Sequence, residues 1–476
     1  MPRLPLTPEE FRRLAERAAR FSSEYLSTLP DRPSFPKVTG EQTEKLYAGV
    51  LPEEGSGERV FDDIAQVFEL GRPPGPRFFG YVLGSGEPVA AIGDLLASVL
   101  NQNLTAWRSS PSAVSIERGV VATLAHAIGC DGFTGSLTGG GSSANLMGLA
   151  LAREAHAPAN VHGAQGGVVY ASDEIHMSMP KALALLGLGR ENLRLIPADE
   201  NFRLSPARLE QAITADRAAG KKPIAVVASA GTVNTGAIDP LREIAAVARR
   251  QKIWFHVDGA YGALAAMAAP EKFAGLAEAD SLSLDAHKWL YQPLDCGCLL
   301  FRDGAHARAT FAYSGDYTKT FSADPVEGFA FFEESMELSR RFRALKLWLS
   351  LRYHGVRAFR ASIAEDLRLA QLLADRIRKE KDLELLAPVA LSIVCFRHRG
   401  FGAASPDELN RFNAAVLKRM HERRKVYVSN ATLRGTFALR PCLTNHRATE
   451  ADVLAIADEA LAAARELHSQ PATVTR

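Results

Sequence analysis

One lysine in the stretch from residue 281 to residue 298 stands in an unusual chemical setting. Lys288 follows a short strand-like alternation and the sequence Asp285-Ala286-His287, and it precedes Trp289. Burying an ammonium group is costly unless the group is paired, neutralised or used covalently. A lysine amine can form a Schiff base with a carbonyl, whereas an exposed loop lysine is the simpler interpretation. A role for Lys288 in catalysis therefore requires a carbonyl cofactor bound by other parts of the chain.

A glycine-rich segment far upstream of this lysine could bind an anion. Residues 138–145 read TGGGSSAN and precede a helix-like run over 146–153. Glycines let backbone N–H groups approach an anion, and a helix N-terminus adds partial positive charge. The segment therefore indicates either a phosphate cradle or a simple turn before a helix. The GxGxxG and GxxxxGK[ST] patterns of nucleotide-binding loops are absent from the sequence.

Two further polar residues come directly after apolar, strand-like runs. Asp258 follows the run at 253–257, and His176 follows the run at 168–171 after Ser172-Asp173-Glu174. A buried carboxylate needs a cationic or donor partner, although Asp258 could also be a helix cap and His176 a structural residue. Together with Lys288 and the glycine segment, they supply the parts needed to hold pyridoxal 5′-phosphate (PLP).

The order of predicted elements brings these residues to one edge of a sheet. Short apolar runs at 168–171, 193–196, 224–228, 253–257 and 281–284 alternate with helical patterns, and another strand is predicted at 297–301. This alternation predicts a mostly parallel sheet covered by helices on both faces. Ligands bind such sheets at the carboxyl ends of the strands, where Asp258, His176 and Lys288 lie.

The pattern changes after about residue 353, which predicts a second, smaller α+β domain over 354–476. Helices are expected at 359–379, 406–424 and 449–467, and strands near 391–396, 427–428 and 436–439. The large domain is predicted over 76–353. Within it, residues 302–337 have weak periodicity, which favours a lid or interface role because such long loops are uncommon in compact domains.

The N-terminal segment 1–75 is predicted to be helical and to pack on a partner subunit. An amphipathic helix is expected over 7–29, with Thr7 as its cap and Pro8 at its first position. Residues 30–57 are rich in proline, glycine and charge and are interpreted as a connection. A helix that caps its own subunit is the alternative.

The composition indicates a cytoplasmic enzyme-sized protein rather than a binder of polyanions. The 476 residues are 47% hydrophobic and 23% charged, with a net charge of +2, so neither nucleic acid nor an anionic membrane is expected as a partner. The five cysteines form no CxxC motif, which disfavours a disulfide framework and a zinc site, and no metal is predicted. No apolar signal core or membrane span is found in the sequence.

Five segments of the chain resemble, in order and spacing, the PLP-dependent group II decarboxylases, which act on aromatic amino acids, histidine, tyrosine or glutamate. The resemblance covers residues 11–467 and is most specific at His256-Val257-Asp258-Gly259-Ala260-Tyr261 and His287-Lys288-Trp289. It implies the fold-type I, aspartate aminotransferase-like α/β architecture, with a mostly parallel seven-stranded sheet. It also implies an obligate homodimer with active sites at the interface. The other matching segments are residues 135–153, Ser172-Asp173-Glu174-Ile175-His176 and residues 228–240.

The resemblance implies roles for individual residues in decarboxylation of an L-amino acid to its amine and CO2. Lys288 would form the Schiff base with PLP that exchanges for the external aldimine. Asp258 would keep the pyridine nitrogen protonated, and His176 would stack on the ring. Tyr317, in a mobile catalytic loop at about 310–328, would protonate Cα of the quinonoid. The other implied cofactor contacts are Thr232, Ala260, Gly141, Ser142 and His287.

Departures from the family pattern bear on the phosphate and on the substrate. Asp285 stands where the aromatic enzymes usually carry Asn, and its carboxylate would repel a phosphate unless it is turned away or protonated. Tyr81 falls at a pocket tyrosine of the aromatic enzymes, with Val82 beside it. Ser339 falls where members carry Gly or Ser, and Ser is more typical of phenol- or imidazole-preferring members. We therefore expect an aromatic substrate of the tyrosine, DOPA, phenylalanine or tryptophan class.

Three alternatives follow from the same residues. An aromatic aldehyde synthase would decarboxylate and oxidatively deaminate, but in the family that outcome accompanies loss of the loop tyrosine, and Tyr317 is present. A glutamate or aspartate decarboxylase is the next alternative. A catalytically idle scaffold of the same fold is disfavoured because Lys288, Asp258, His176 and Tyr317 are all retained.

Overall fold

The computed structural model describes residues 4, 6–51, 53–313, 324–402 and 405–469. Its helices are α1 (Pro8–Thr28), α2 (Gly40–Tyr47), α3 (Val60–Leu70), α4 (Pro88–Leu100), α5 (Pro111–Ala127), α6 (Gly141–His156), α7 (Ser178–Leu185), α8 (Pro206–Ala218), α9 (Leu241–Gln251), α10 (Ala286–Trp289), α11 (Gly304–Phe311), α12 (Ala344–His354), α13 (Val356–Lys379), α14 (Pro406–Arg423) and α15 (Glu450–Ser469). Its strands are β1 (Phe78–Phe79), β2 (Thr134–Thr138), β3 (Val168–Ser172), β4 (Leu193–Ile196), β5 (Pro223–Ser229), β6 (Trp254–Asp258), β7 (Ser281–Asp285), β8 (Gly297–Phe301), β9 (Leu383–Leu385), β10 (Phe396–His398), β11 (Tyr427–Leu433) and β12 (Thr436–Arg440).

The larger sheet confirms the predicted mostly parallel arrangement. Its seven described strands lie in the order β2-β8-β7-β6-β5-β3-β4, and β8 runs antiparallel to both of its neighbours. Every residue of β3, β5, β7 and β8 is buried, as expected for strands covered on both faces. The carboxyl ends of β2, β3, β5, β6 and β7 consequently meet at one edge of the sheet.

The smaller sheet draws one strand from far upstream in the chain. Its described strands lie in the order β1-β11-β12-β10-β9, and β1 pairs parallel with β11. Residues 78–79, inside the range predicted for the large domain, thus belong to the smaller sheet. The boundaries at 76 and 354 stay predictions.

The strand predicted near 391–396 was wrong in position. The ladder strand β10 begins only at Phe396, and the preceding segment forms a single bridge, Ile393 with Cys442. The apolar side chains of Leu391 and Ile393 are buried in the main core instead. This apolar run is therefore buried without forming a regular strand. A short apolar run in a sequence does not distinguish a buried strand from a buried irregular segment.

The N-terminal helices pack on each other through aromatic rings. Phe21 and Tyr25 of α1 both contact Phe68 of α3, with ring centroids 4.8 Å apart in each pair. None of the residues of α1, α2 or α3 is buried in the described chain. Helix α2, capped by Thr39, lies in the segment that we interpreted as a connection, and none of its residues is buried.

The first part of the predicted loop at 310–328 is helical. Helix α11 extends to Phe311 and is capped by Asp303, whose carboxylate accepts from the backbone of Ala305 and His306. The family-derived position Tyr317 lies outside the described residues. In the described part of the chain, no helix combines the length and apolar character needed to cross a membrane.

Candidate active site

A cavity of about 420 Å³ opens at the strand ends of the larger sheet. It brings together residues that are far apart in the chain but come from the turns that follow the parallel strands. Such a position is expected for a ligand site in an α/β sheet. The cavity is lined by Tyr81, Val82, Gly139, Gly140, Gly141, Ser142, Asn145, His176, Ser229, Gly231, Thr232, Val233, Asp258, Ala260, Tyr261, Asp285, His287, Lys288 and Arg440.

Lys288 is carried by the one-turn helix α10, which begins where β7 ends. The loop between β1 and α4 holds this turn in place, because Gly84 donates its backbone N–H to the His287 carbonyl at 2.8 Å. A Cβ on Gly84 would lie 2.5 Å from that carbonyl oxygen, so glycine is required for the close approach. Three residues further along, Glu87 donates its N–H to the Tyr291 carbonyl at 2.7 Å. The lysine is thus held by backbone contacts on both sides.

Asp258 presents a fixed, buried carboxylate at the end of β6. Its Oδ1 accepts from the Ser283 hydroxyl and from the Ala260 backbone N–H, each at 3.2 Å. These two donors orient the carboxylate without neutralising its charge. Asp258 can therefore hold a protonated ring nitrogen in the cavity, as an opposite charge favours the protonated form.

Asp285 contacts the start of the glycine-rich helix, which accounts for its charge near the expected phosphate site. Its Oδ2 accepts from the Gly141 backbone N–H at 2.9 Å. Its Oδ1 lies 2.6 Å from His287 Nδ1, a close polar contact whose angle does not satisfy a hydrogen bond. The helix N-terminus therefore balances part of the carboxylate charge. Ser142, the next residue of α6, also lines the cavity.

His176 lines the same cavity, with one ring nitrogen occupied by its own chain. The Ser178 hydroxyl lies 2.9 Å from His176 Nδ1, and the Ser178 backbone N–H donates to Nδ1 at 3.2 Å. Burial lowers the pKa of His176 below its ordinary value, while the charges of Asp258 and Lys288 act in opposite directions. A neutral imidazole is thereby favoured.

Thr232 and Ala260 line the cavity beside Asp258. The Thr232 hydroxyl lies 2.9 Å from the Thr235 hydroxyl, and its N–H donates to the Ala237 carbonyl at 2.9 Å. These bonds order the turn that follows β5. Both residues predicted to contact the ring are thus placed at the cavity wall.

Tyr81 lines the cavity and has a backbone conformation that residues other than glycine rarely adopt. Its φ is +59°, and its N–H donates to the Ser429 hydroxyl at 2.7 Å. Its carbonyl accepts from both terminal nitrogens of Arg440 at 3.3 Å, and its hydroxyl lies 3.2 Å from that of Tyr427. The smaller sheet therefore holds the strained residue in place, an arrangement common at functional sites.

Ser339, the third predicted pocket residue, does not line this cavity. It lies in a separate cleft with residues of α4 and the loop after it, including Ala97 and Asn101. Two lining residues were missed by sequence reasoning. Arg440 ends the strand β12, and Asn145 lies in the first turns of α6 after the glycine-rich segment. A polar residue at a strand end, or just after a glycine-rich loop, is the sequence signal that could have identified them.

The cavity fits PLP on its own geometry. A Cβ on Gly141 would lie 2.6 Å from the Ala260 Cβ, so glycine is required for the N-terminus of α6 to approach the turn that follows β6 at the cavity wall. A lysine amine, a buried carboxylate and a helix N-terminus face one space large enough for the cofactor. The fold and site are those of a PLP-binding α/β enzyme.

Comparison with known proteins agrees with this class. Residues 43–399 match the pyridoxal-dependent decarboxylase conserved domain, so the chain belongs to the pyridoxal-dependent decarboxylase family. It is a PLP-dependent carboxy-lyase with the fold-type I architecture predicted from the sequence.

The similarity to individual relatives extends over almost the whole chain. The protein is 36% identical to an aromatic-L-amino-acid decarboxylase of Bacillus atrophaeus, with 98% of this chain and 97% of the relative covered. It is 30% identical to a phenylacetaldehyde synthase of Petunia hybrida, with 91% and 90% covered. The crystal structure of Oryza sativa TDC with PLP and tryptamine superposes with a TM-score of 0.92 at 29% identity, covering 98% and 100%.

Proposed function

We propose that the protein decarboxylates an aromatic L-amino acid to the corresponding amine and CO2. The observation that carries the proposal is the single cavity in which Lys288, Asp258 and His176 meet Tyr81. The full-length similarity to an aromatic-L-amino-acid decarboxylase supports the same reaction. The substrates in view are tyrosine, DOPA, phenylalanine and tryptophan.

The roles proposed for Lys288, Asp258 and His176 use groups that the fold brings to the wall of one cavity. PLP, when bound, supplies a carbonyl for the substrate amine and a ring that accepts the electrons left by the departing carboxylate. The Lys288 amine holds the cofactor, and the Asp258 carboxylate, fixed by Ser283, keeps the proton on the ring nitrogen. The His176 ring stacks on the cofactor. Tyr317, outside the described residues, is the proposed donor of the proton to Cα.

The phosphate and the ring edges have proposed contacts of their own. Ser142 and Gly141 lie at the N-terminus of α6, which attracts an anion, and His287 lies on the lysine turn beside them. Thr232 and Ala260, which line the cavity beside Asp258, are proposed to flank the ring. These five residues are proposed as the cofactor contacts besides Lys288, Asp258 and His176.

The substrate side of the cavity combines a cation with aromatic surface. Arg440 lines the cavity and can attract the carboxylate of an incoming amino acid, while it also holds the Tyr81 carbonyl. Tyr81 and Val82 offer aromatic and apolar contacts for a flat side chain. Ser339 lies outside this cavity, so a contribution from it would require a second subunit.

The experiment that tests the proposal combines absorbance with a substrate panel. The purified enzyme with added PLP should show visible absorbance that Lys288→Ala abolishes, and it should release amine from at least one aromatic amino acid. Glutamate and aspartate belong in the same panel. Amine from the acidic substrates alone would support the acidic decarboxylase instead, and an idle scaffold would release no amine at all.

An aldehyde synthase is the second candidate, because a phenylacetaldehyde synthase is among the full-length relatives. A synthase consumes O₂ and yields aldehyde and peroxide with CO2 and ammonia, so peroxide must be measured together with amine. The presence of Tyr317 favours the decarboxylase. We expect Tyr317→Phe to shift product from amine towards aldehyde, and an unchanged product ratio would remove Tyr317 from the proton-donor role.

We also propose a homodimer. Helix α4 exposes an apolar stripe of five side chains, each between 44% and 58% exposed, and the amphipathic helix α1 buries none of its residues. Both faces suit a second copy of this chain. Leu95→Glu should reduce the molar mass in solution to that of a monomer, whereas Val161→Glu, at an exposed apolar residue elsewhere, should not. The stripe consists of Ile92, Leu95, Leu96, Val99 and Leu100.

The cytoplasm stays the predicted location. All five cysteines are free and buried, which is the usual state of thiols in a reducing compartment. Fractionation of the native organism would test the location directly.

A further inference from the structure

A line of buried polar side chains runs from His176 away from the cavity. Ser178 lies next to His176, and Asn145 donates its amide N–H to the Ser178 hydroxyl at 3.3 Å. On its other side, the Asn145 carbonyl oxygen lies 3.0 Å from His256 Nε2. Asn145 thus bridges two histidines, of which only His176 lines the cavity.

At the far end of this line, the indole N–H of Trp254, which can only donate, fixes the direction of the hydrogen bonds. His256 Nδ1 lies 2.8 Å from the Ser281 hydroxyl, which accepts from the indole N–H of Trp254 at 2.8 Å. Burial lowers the pKa of His256 to about 4, so the ring is neutral near neutral pH. With its proton on Nε2, His256 donates a hydrogen bond to the Asn145 oxygen, and its Nδ1 accepts a hydrogen bond from the Ser281 hydroxyl.

The line is enclosed and closely packed. Asn145, Ser178, His256 and Ser281 are all at most 4% exposed. A Cβ on Gly148 would lie 2.4 Å from His256 Cε1, so the ring occupies space that only glycine leaves on α6. Buried polar atoms are costly without partners, and these side chains satisfy one another. Their arrangement is therefore well defined rather than adaptable.

The direction of the bonds determines which nitrogen of His176 carries the proton. The Ser178 backbone N–H donates to Nδ1, and a backbone N–H can only donate. The amide of Asn145 occupies a lone pair of the Ser178 hydroxyl, which leaves the hydroxyl proton free to point at Nδ1. Nδ1 is consequently an acceptor, and a neutral ring then has its proton on Nε2.

We propose that Asn145 and Ser178 are positioning residues that hold His176 as the neutral tautomer protonated at Nε2. The cavity then receives an N–H donor from the histidine that flanks the cofactor, instead of a bare nitrogen. This inference rests on the proposed function, since it concerns how His176 meets the cofactor and substrate. Neither Asn145 nor Ser178 needs to touch the reacting atoms for this effect.

The tautomer can be read directly from the nitrogen chemical shifts of the holoenzyme. We would label histidine with ¹⁵N and assign His176 by the loss of its signals in His176→Asn. The expected result is an unprotonated Nδ1 and a protonated Nε2 in the unmodified enzyme. A protonated Nδ1 overturns the proposal without any further variant.

A reversal variant tests the positioning role of Asn145. Asn145→Asp has nearly the same shape but only accepts, so the Ser178 hydroxyl should turn to it and leave the Ser178 backbone N–H as the one donor to Nδ1. The fraction of His176 that is protonated at Nδ1 should then rise. In Ser178→Ala the link is cut, and adding Asn145→Asp to it should not change that fraction further. An unchanged fraction in Asn145→Asp alone, or the same rise with and without the Ser178 hydroxyl, overturns the proposal.

The same preparations separate this inference from the proposed function. PLP content, measured by visible absorbance, and amine release from an aromatic amino acid are recorded for each one. If PLP binds and amine forms while His176 shows the other tautomer, only the positioning proposal fails. If the unmodified enzyme binds no PLP, the proposed function fails with it.

Discussion

The carboxylate of Asp285 accepts a hydrogen bond from the backbone N–H of Gly141 at 2.9 Å, across the sheet edge where the cofactor phosphate is expected. Asp285 ends β7 and Gly141 begins α6, so the contact joins the lysine-bearing strand to the anion-binding helix. An anion of the protein thus already uses one donor of a helix N-terminus that would otherwise serve the phosphate.

Asp285→Asn should strengthen PLP binding. An asparagine keeps an acceptor for Gly141, removes a negative charge beside the phosphate and adds an amide donor. We expect the Kd for PLP to fall about tenfold, equivalent to about 1.4 kcal/mol. Titration of the apoenzyme, followed by visible absorbance, measures it. Asp285→Ala removes the charge without adding a donor, so its intermediate Kd would separate the two effects, and weaker binding in Asp285→Asn would contradict the prediction.

Arg440 should matter for the substrate more than for the cofactor. Arg440→Met removes a cation from the cavity wall and also releases the Tyr81 carbonyl, so the KM for the amino acid should rise about tenfold or more, because a hydrogen bond to a charged group is lost. Ser429→Ala is the matched control, since it loosens Tyr81 through its N–H without removing charge. Equal KM values in the two variants would show that only the placement of Tyr81 matters.

A buried ion pair behind the glycine-rich loop should be important for stability. Arg340 and Glu117 have fully buried side chains, and Glu117 also accepts from the Leu137 N–H at 2.9 Å on β2. Glu117→Gln removes the nearer carboxylate of the buried arginine and leaves only Glu337, 3.9 Å from Arg340 Nε, so it should cost about 3 kcal/mol.

The urea midpoint of unfolding measures this cost, and a surface pair supplies the comparison. Glu365 and Arg368 form a half-exposed pair on α13, so Glu365→Gln should cost less than about 1 kcal/mol. Similar midpoints for the two variants would contradict the prediction.

His446 should make the protein less stable in mild acid. Its ring packs against Tyr291, and its Nδ1 lies 2.8 Å from the Ser85 hydroxyl. Although the residue keeps contact with solvent, desolvation by the surrounding protein, reinforced by Arg447, lowers its pKa to about 4 from 6.5. Between these two pKa values, His446 is mostly protonated in the unfolded chain and mostly neutral in the folded protein. Its full contribution to the free energy of unfolding is therefore present above the unfolded pKa and is lost as the pH drops towards about 4.

His446→Gln should therefore reduce, without abolishing, the loss of Tm between about pH 7 and about pH 5, because His256 contributes in the same direction. Thermal unfolding at the two pH values measures this difference. The same substitution at the exposed His162 is the control, and it should leave the loss of Tm unchanged. An unaltered loss in His446→Gln would show that other groups dominate the acid response.

The strand-end residues could be predicted from sequence because parallel sheets obey a simple geometric rule. Lys288, Asp258 and His176 each follow an apolar run, and runs that alternate with helices end at one edge. Their proximity required no knowledge of side-chain packing. The resemblance to a decarboxylase family then supplied the proposed roles.

Contacts made by tertiary structure alone could not be predicted in this way. Arg440 reaches the cavity because the smaller sheet docks beside it, and Asn145 is explained by its contact with His256, 111 residues away. The charge of Asp285 was puzzling in the sequence because its partner, Gly141, is 144 residues distant. Ser339 was placed by resemblance alone, and the fold of one chain sets it in another cleft.

The pairing of β1 with β11 has a consequence for folding during synthesis on the ribosome. Phe78 and Phe79 can pair only after the strand that begins at Tyr427 has been synthesised. The loop that follows them is hydrogen-bonded to the turn that carries Lys288. During synthesis, nearly 350 residues emerge before the two strands can meet, and Arg440 emerges later still. The cofactor pocket is therefore completed only after β11 and β12 have emerged, so a ribosome that stalls before them leaves a chain that carries the whole larger sheet but an unfinished active site.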